Sequence, residues 1–236
     1  MDFANIYSIV TLALSLGFMH ALDADHIMAV SALTSSSKSP RNTLRFSLRW
    51  AIGHGATLIF IGSCVFLLGM AIPDQLSQYA EHLVGLVLIV IGLYLLFTIR
   101  KKNIHVHYHE HDGLPKHAHW HSHSTSAEDQ ARQVPHEKVP HKHKHSAIMV
   151  GVLHGTAGSA PLLVLIPMAK LTSPLYGMIY LIVFSIGVLI CMALFGGLLG
   201  LLYQWLASRG QYIIKLLRLT IASVTIVVGG LLLVGA

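Results

Sequence analysis

The sequence predicts an all-α, polytopic integral membrane protein of about six transmembrane helices. Three observations carry this reading. Of the 236 residues, 54% are hydrophobic and only 11% are charged, with a mean hydropathy of +0.64. The apolar residues fall into six long stretches, and the basic residues collect in alternate connections between them. A soluble domain carries about 25% charged residues, so a water-facing globule is excluded. The same apolar content excludes disorder over most of the chain.

The stretches are Phe3–Leu33, Trp50–Ala71, Leu83–Ile99, Ala147–Met168, Leu175–Leu206 and Tyr212–Val234, against the roughly 20 apolar residues that one crossing needs. The first is long for a single span, which implies a tilt, an overhang or a break. No Lys or Arg precedes it, and a signal peptide needs a basic start, so it reads as a helix that stays. The first connection carries Lys38, Arg41, Arg45 and Arg49, the third carries eight bases, and the fifth carries Arg209 and Lys215, with Arg218 just inside the last helix. Fifteen of the sixteen Lys and Arg thus lie on one side. The positive-inside rule makes that side cytoplasmic and turns both termini outward. The net charge of +6 follows from this bias, so nucleic acid is not an expected partner. Cys64 and Cys191 lie inside apolar runs and read as small hydrophobes. Neither a phosphate-cradling loop nor a nucleophile elbow occurs, and an enzyme is not expected.

The two halves share landmarks. Gly17-Phe-Met-His20 matches Gly151-Val-Leu-His154, and Ile52-Gly53 matches Ile186-Gly187, with 33 residues from histidine to glycine in both cases. Val90-Ile91-Gly92 resembles Val227-Val228-Gly229. Three spans per repeat would insert the second half upside down, the inverted 3+3 architecture of many secondary transporters, whose substrate sites lie at the repeat interface. The expected division is a first transmembrane half at 1–99, a cytoplasmic, disordered His-rich loop at 100–146, and a second transmembrane half at 147–236.

Two carboxylates lie within the apolar stretches, Asp23 and Asp25, in His20-Ala-Leu-Asp23-Ala-Asp25-His26. A charge at a helix centre costs about 2.5–3.5 kcal/mol on insertion scales, so this cluster demands a partner or a ligand. Imidazole and carboxylate together suit a divalent ion such as Ni2+, Co2+ or Zn2+. His54, flanked by Gly53 and Gly55, joins it from the second span, and His154 from the fourth. The alternatives are a capped helix end paired with Arg45 or Arg49, and for His154 a histidine that serves helix packing. At about 100° per residue, His20, Asp23 and His26 share one helix face, whereas Asp25 falls about 140° from His20. A straight helix cannot aim His20, Asp25 and His26 at one ion. Either the helix unwinds near Ala24, or Asp25 orients a histidine such as His54 while Asp23 sits beside the metal.

HALDADH fits the HX4DH signature of the nickel/cobalt transporter superfamily (NiCoT/NicO) at His20, Asp25 and His26, and Gly53-His54 is similar to its second signature. The segment Leu153-His154-Gly155-Thr156-Ala157-Gly158-Ser159-Ala160 looks more like the urease-accessory-type nickel permeases of the shorter, six-span branch. The resemblance implies a permease with metal ligands or selectors at His20, Asp25, His26 and His54, and Ni2+ or Co2+ as transported substrate rather than as a cofactor. It favours uptake in the inner (cytoplasmic) membrane, with efflux as the alternative, and a cytoplasmic metallochaperone as the onward partner. Two rivals fare worse. A membrane-embedded metalloenzyme needs more ligands than the five histidines outside the loop, and a thiol-transfer permease needs paired intramembrane cysteines. The loop holds 12 of the 17 histidines between His105 and His145, a composition that binds metal loosely.

Overall fold

The computed structural model describes residues 3–37, 39–68, 74–101, 105–109, 117–121, 146–156 and 174–235. Among the described residues, seven helices run in order: α1 (Phe3–Ala21), α2 (Ala24–Thr34), α3 (Pro40–Leu68), α4 (Asp74–Lys101), α5 (Ser146–Thr156), α6 (Pro174–Arg209) and α7 (Gln211–Gly235). The chain is a polytopic membrane protein. Among the described residues, four helices are long and apolar enough to cross a bilayer, and α1 with α2, bent by 53° at their junction, forms a broken span or a re-entrant loop. The sixth expected span opens as α5; its remainder, up to Met168, lies outside the described residues. The bundle exposes long apolar rows, among them Leu86, Val90, Leu93 and Phe97 on α4 and Leu194, Leu198, Leu201 and Trp205 on α6. Soluble monomers do not carry apolar patches of this extent, whereas acyl chains cover them at no cost.

Two helix starts differ from the hydropathy reading. α3 begins ten residues before Trp50 and α4 nine before Leu83, so Arg41, Arg45, Arg49 and Glu81 are helical. Hydropathy marks where lipid is tolerated, while backbone hydrogen bonding continues into the polar margin. Lys215 likewise stands within α7 rather than before it. Gly210, at φ +134°, is the one residue between α6 and α7, a conformation that L side chains avoid.

Two short strands are described within the His-rich connection, most of which lies outside the described residues. β1 (His105–His109) pairs antiparallel with β2 (His117–His121). The reason is a period of two: histidines alternate with Val106, Tyr108, Ala118 and Trp120, and β-branched and aromatic residues suit a pleated surface.

The helices pair as α1 on α6, α5 on α3, α3 on α6 and α4 on α7, with α2 resting on α4 and α7. Exchanging the two halves leaves the pairing of the spans unchanged. Close glycine contacts make the relation residue-specific, because a Cβ on Gly17 would strike the Phe184 carbonyl oxygen, and one on Gly151 would strike that of Trp50. A Cβ on Gly187 would stand 2.8 Å from the carbonyl oxygen of Leu14, and one on Gly53 would strike that of Ile148. Each contact maps onto its partner by adding 134 to the residue number. On the α4–α7 pair the offset is 137: a Cβ on Gly92 would stand 2.9 Å from the Ala222 oxygen, and one on Gly229 2.6 Å from the Gly85 oxygen. Small residues at these crossings let the backbones approach, the usual means of helix association in lipid. The main core, with Trp50, Tyr180, Leu181, Phe184 and Met192 fully buried, runs along the α3–α6 seam beside the junction of α1 and α2.

Candidate metal centre

The site begins with the break after α1. Leu22 N–H donates to Met19 O and Asp23 N–H to His20 O, a tightened last turn that ends the helix. Asp23 then takes φ −59°, ψ 145° as N-cap of α2, and Asp25 follows in the first turn, where an acid is favoured by the helix dipole. No Gly or Pro is involved. The Asp23 carboxylate makes no side-chain cap hydrogen bond. Instead its Oδ2 accepts from His20 Nδ1 at 2.8 Å. His26 Nδ1 donates to the His20 carbonyl oxygen at 2.9 Å, which ties the start of α2 back to the end of α1.

These bonds settle which ring nitrogens stay open. A carbonyl or carboxylate oxygen only accepts, so Nδ1 carries the proton on His20, His26 and His154, the last donating to Val150 O at 2.8 Å. Each of the three therefore presents a bare Nε2, the form a metal requires. His20 Nε2 lies 3.1 Å from His54 Nε2, and Asp25 Oδ2 lies 3.5 Å from His26 Nε2. All four histidines are buried, each at 2% exposure or less.

One potential ligand atom from each of His20, His26 and His54 falls within 4.8 Å of the others, and the same holds for Asp23, Asp25 and His26. The structure thus brings the HX4DH residues together through the break and attaches His54 from α3. Asp23 is the acid hydrogen-bonded to His20, and Asp25 is the acid beside His26 Nε2. Each acid lies against a histidine of the cluster, Asp23 against His20 and Asp25 against His26. His154 approaches from α5, its ring 5.8 Å from that of His26, outside the tight groups. Its Nε2, His54 Nδ1, Trp50 Nε1 and Ser185 Oγ are buried without hydrogen-bond partners among the described residues. Such a concentration of orphaned polar atoms is unusual in a native interior and suits a site that takes up a polar cargo.

Trp50 was not among the sequence candidates. Its indole stacks on His54 (centroids 5.0 Å, 12° between planes) and stands edge-on to His26 and His154 at 4.8 and 5.6 Å. The available signal was spacing, since Trp50 and His54 are four apart and share a helix face. Phe184, whose number is that of Trp50 plus 134, lies 5.7 Å from His20.

A family model described as high-affinity nickel-transport protein matches residues 6–236. The chain belongs to this NicO family. It is similar to the urease accessory protein UreH of Bacillus sp. (strain TB-90), at 30% identity over 209 residues, which cover 89% of this chain and 83% of that protein. It is also similar to the chloroplast protein FOR GROWTH AND FERTILITY 1 of Arabidopsis thaliana, at 26% identity over 186 residues, covering 78% of this chain but 47% of that longer protein. No solved structure matches it.

Proposed function

We propose that this NicO protein carries Ni2+, and Co2+ as an alternative cargo, inward across the cytoplasmic membrane, with His20, His26 and His54 as ligands. Asp25 completes the set beside His26, Asp23 holds the His20 ring in place, and His154 supplies a weaker contact from the second half. Both termini face outward and the His-rich connection faces the cytoplasm, where a metallochaperone receives the ion. The halves 1–99 and 147–236 move against each other around the site.

The observation that carries this reading is the pair of facing imidazole nitrogens. At a metal–nitrogen distance of about 2.05 Å, two Nε2 atoms 3.1 Å apart subtend an angle of about 98° at one ion, between octahedral and tetrahedral values. Because His20 Nε2 is bare, His54 Nε2–H donates to it in the empty site. An arriving ion replaces that proton, so loading releases protons. The relative named as a urease accessory protein supports uptake over efflux, since service to an intracellular enzyme requires the ion inside.

The test is 63Ni accumulation in cells with and without the protein, alongside a His26→Ala variant matched for membrane abundance. The reading requires accumulation that depends on the protein and is lost in the variant. Uptake at the normal rate by His26→Ala would refute the site, and net loss of 63Ni from preloaded cells would reverse the direction.

A further inference from the structure

We propose that Arg218 is a positioning residue for transport: with Tyr203 it clamps the carbonyl end of α2 and so fixes where Asp25 and His26 stand against His20 and His54. The inference rests on the transport reading for its cargo, while the clamp itself is made of contacts outside the metal centre.

α2 is built as a lever. Two residues, Leu22 and Asp23, join it to α1 at a bend of 53°, and its first turn carries Asp25 and His26. Ser35, its C-cap, lies about 15 Å along the axis from Asp25 at 1.5 Å per residue. Whatever holds that far end sets the angle at which the near end meets α1 and α3. The last carbonyls of a helix lack intrahelical donors. Here the shortfall is enlarged, because Ser35 N–H turns to Ala32 O at 3.4 Å and leaves Ser31 O without the donor that an α-helix would give it. The Tyr203 hydroxyl, on α6, donates to that Ser31 oxygen at 2.8 Å. Arg218 Nε, on α7, donates to Ser35 O at 3.0 Å.

The charge of Arg218 has no other employment in view. Among the described residues it has no carboxylate partner, the ion pairs being those of Asp23 and Asp25. An arginine within an apolar helix is costly without compensation, and the C-terminal end of α2 presents the negative pole that a cation prefers. On α4 the seat of α2 is apolar, with Ala29 joining Ala80, Val84 and Leu88, and burial of that kind is non-directional. The two directed bonds at the far end both reach from the first half of the chain to the second. Movement of one half against the other therefore pulls α2, and Asp25 and His26 leave His20 and His54 together.

The experiment measures 63Ni uptake against external nickel in cells matched for folded protein in the membrane. It compares the wild type with Arg218→Met, which keeps the apolar stem and removes the donor, Arg218→Lys, which keeps a charged donor, and Tyr203→Phe. Arg218→Met is expected to raise half-saturating nickel about tenfold, the scale of a lost orienting partner, with the maximal rate per transporter held within about twofold. Arg218→Lys should recover most of that loss. Tyr203→Phe should shift half-saturation the same way by about two- to tenfold. A merely structural role would lower the maximal rate and leave half-saturation alone. A cation that only repels the cargo would, once removed, lower half-saturation. Either result overturns the proposal. Amide hydrogen exchange of the full-length protein in detergent reads the clamp without transport. Arg218→Met should speed exchange in α2 about tenfold while α3 keeps its wild-type rates, and unchanged exchange in α2 would overturn the clamp. Should Arg218→Met fail to insert, Tyr203→Phe carries the same two readouts. A wild type without protein-dependent uptake would sink the transport reading instead, and exchange would then decide the clamp.

Discussion

Gly151→Ala tests whether the metal centre depends on the α3–α5 crossing. The new methyl carbon would stand 2.9 Å from the Trp50 carbonyl carbon and 3.1 Å from His54 N, and nearer still to the Trp50 oxygen. All three are backbone atoms, so no side chain can swing aside. Restoring the carbon–carbon distance to 3.4 Å, where ordinary contact begins, drives the helices apart by about 0.5 Å at least. Overpacking of this kind costs about 1–3 kcal/mol, and the better helix propensity of Ala returns up to about 1. A net loss of about 1–2 kcal/mol corresponds to a fall of about 2–8 °C in Tm for a chain of this size. His54 and Trp50 move with α3, which opens the 3.1 Å approach to His20. Displaced ligands typically lose about 10–100-fold in metal affinity, so half-saturating nickel in the 63Ni uptake assay should rise within that range. Two controls sharpen the result. Gly229→Ala meets a carbonyl oxygen at 2.6 Å on a helix pair that carries no site residue, so it should lower Tm and leave nickel affinity alone. Gly197→Ala meets nothing within 4 Å and should be neutral or mildly stabilising. Wild-type Tm and uptake in Gly151→Ala would refute the reasoning.

The two acids should separate by role. Asp23→Asn, which weakens the orientation of His20, should raise half-saturating nickel by about 10–100-fold, while Asp25→Asn should remove most transport; a silent Asp25→Asn in the uptake assay would count against its place beside the ion. His154→Ala should reduce apparent affinity less than His20→Ala or His54→Ala does, read from the same uptake curves. Deleting His105–His145 should preserve transport at high external nickel, since the helical ligands are untouched; complete loss in a correctly inserted deletion variant would place the loop on the pathway. Tyr203→Phe removes the buried hydrogen bond to Ser31 O, 2.8 Å long, and should cost about 1–3 kcal/mol in thermal unfolding.

Much of this was legible because lipid imposes strict rules on composition. The apolar stretches, the paired glycines and the intramembrane His/Asp cluster each violate what a soluble helix would carry, so they stood out in the sequence. The 33-residue spacing from His20 to Gly53 and from His154 to Gly187 was legible too, and the glycine contacts give it a physical basis. Other features depended on partners distant in sequence. That Asp23 would turn to His20, leaving Asp25 beside His26, follows from a backbone break that neither Gly nor Pro announces. Trp50 looked like the edge of an apolar run until α5 and α2 closed around it. The start of α3 at Pro40 was hidden because Arg41, Arg45 and Arg49 lower hydropathy without disturbing helical geometry.

The offset of 134 residues has one more consequence. Were the two halves identical in sequence, every conformation of the bundle would have a twin of equal energy in which the halves trade shapes. Unlike residues lift that degeneracy. His54 answers to Val188, Trp50 to Phe184, and Asp23, Asp25 and His26 to Ala157, Ser159 and Ala160, with His20 and His154 the matched pair among these residues. The scaffold is symmetric and its chemistry is lopsided. The resting preference of the molecule, empty or loaded, is therefore written in the positions of the site where the halves disagree. Exchanging residues between equivalent positions, Phe184→Trp beside His20 for instance, would tilt that preference while keeping every His and Asp of the cluster.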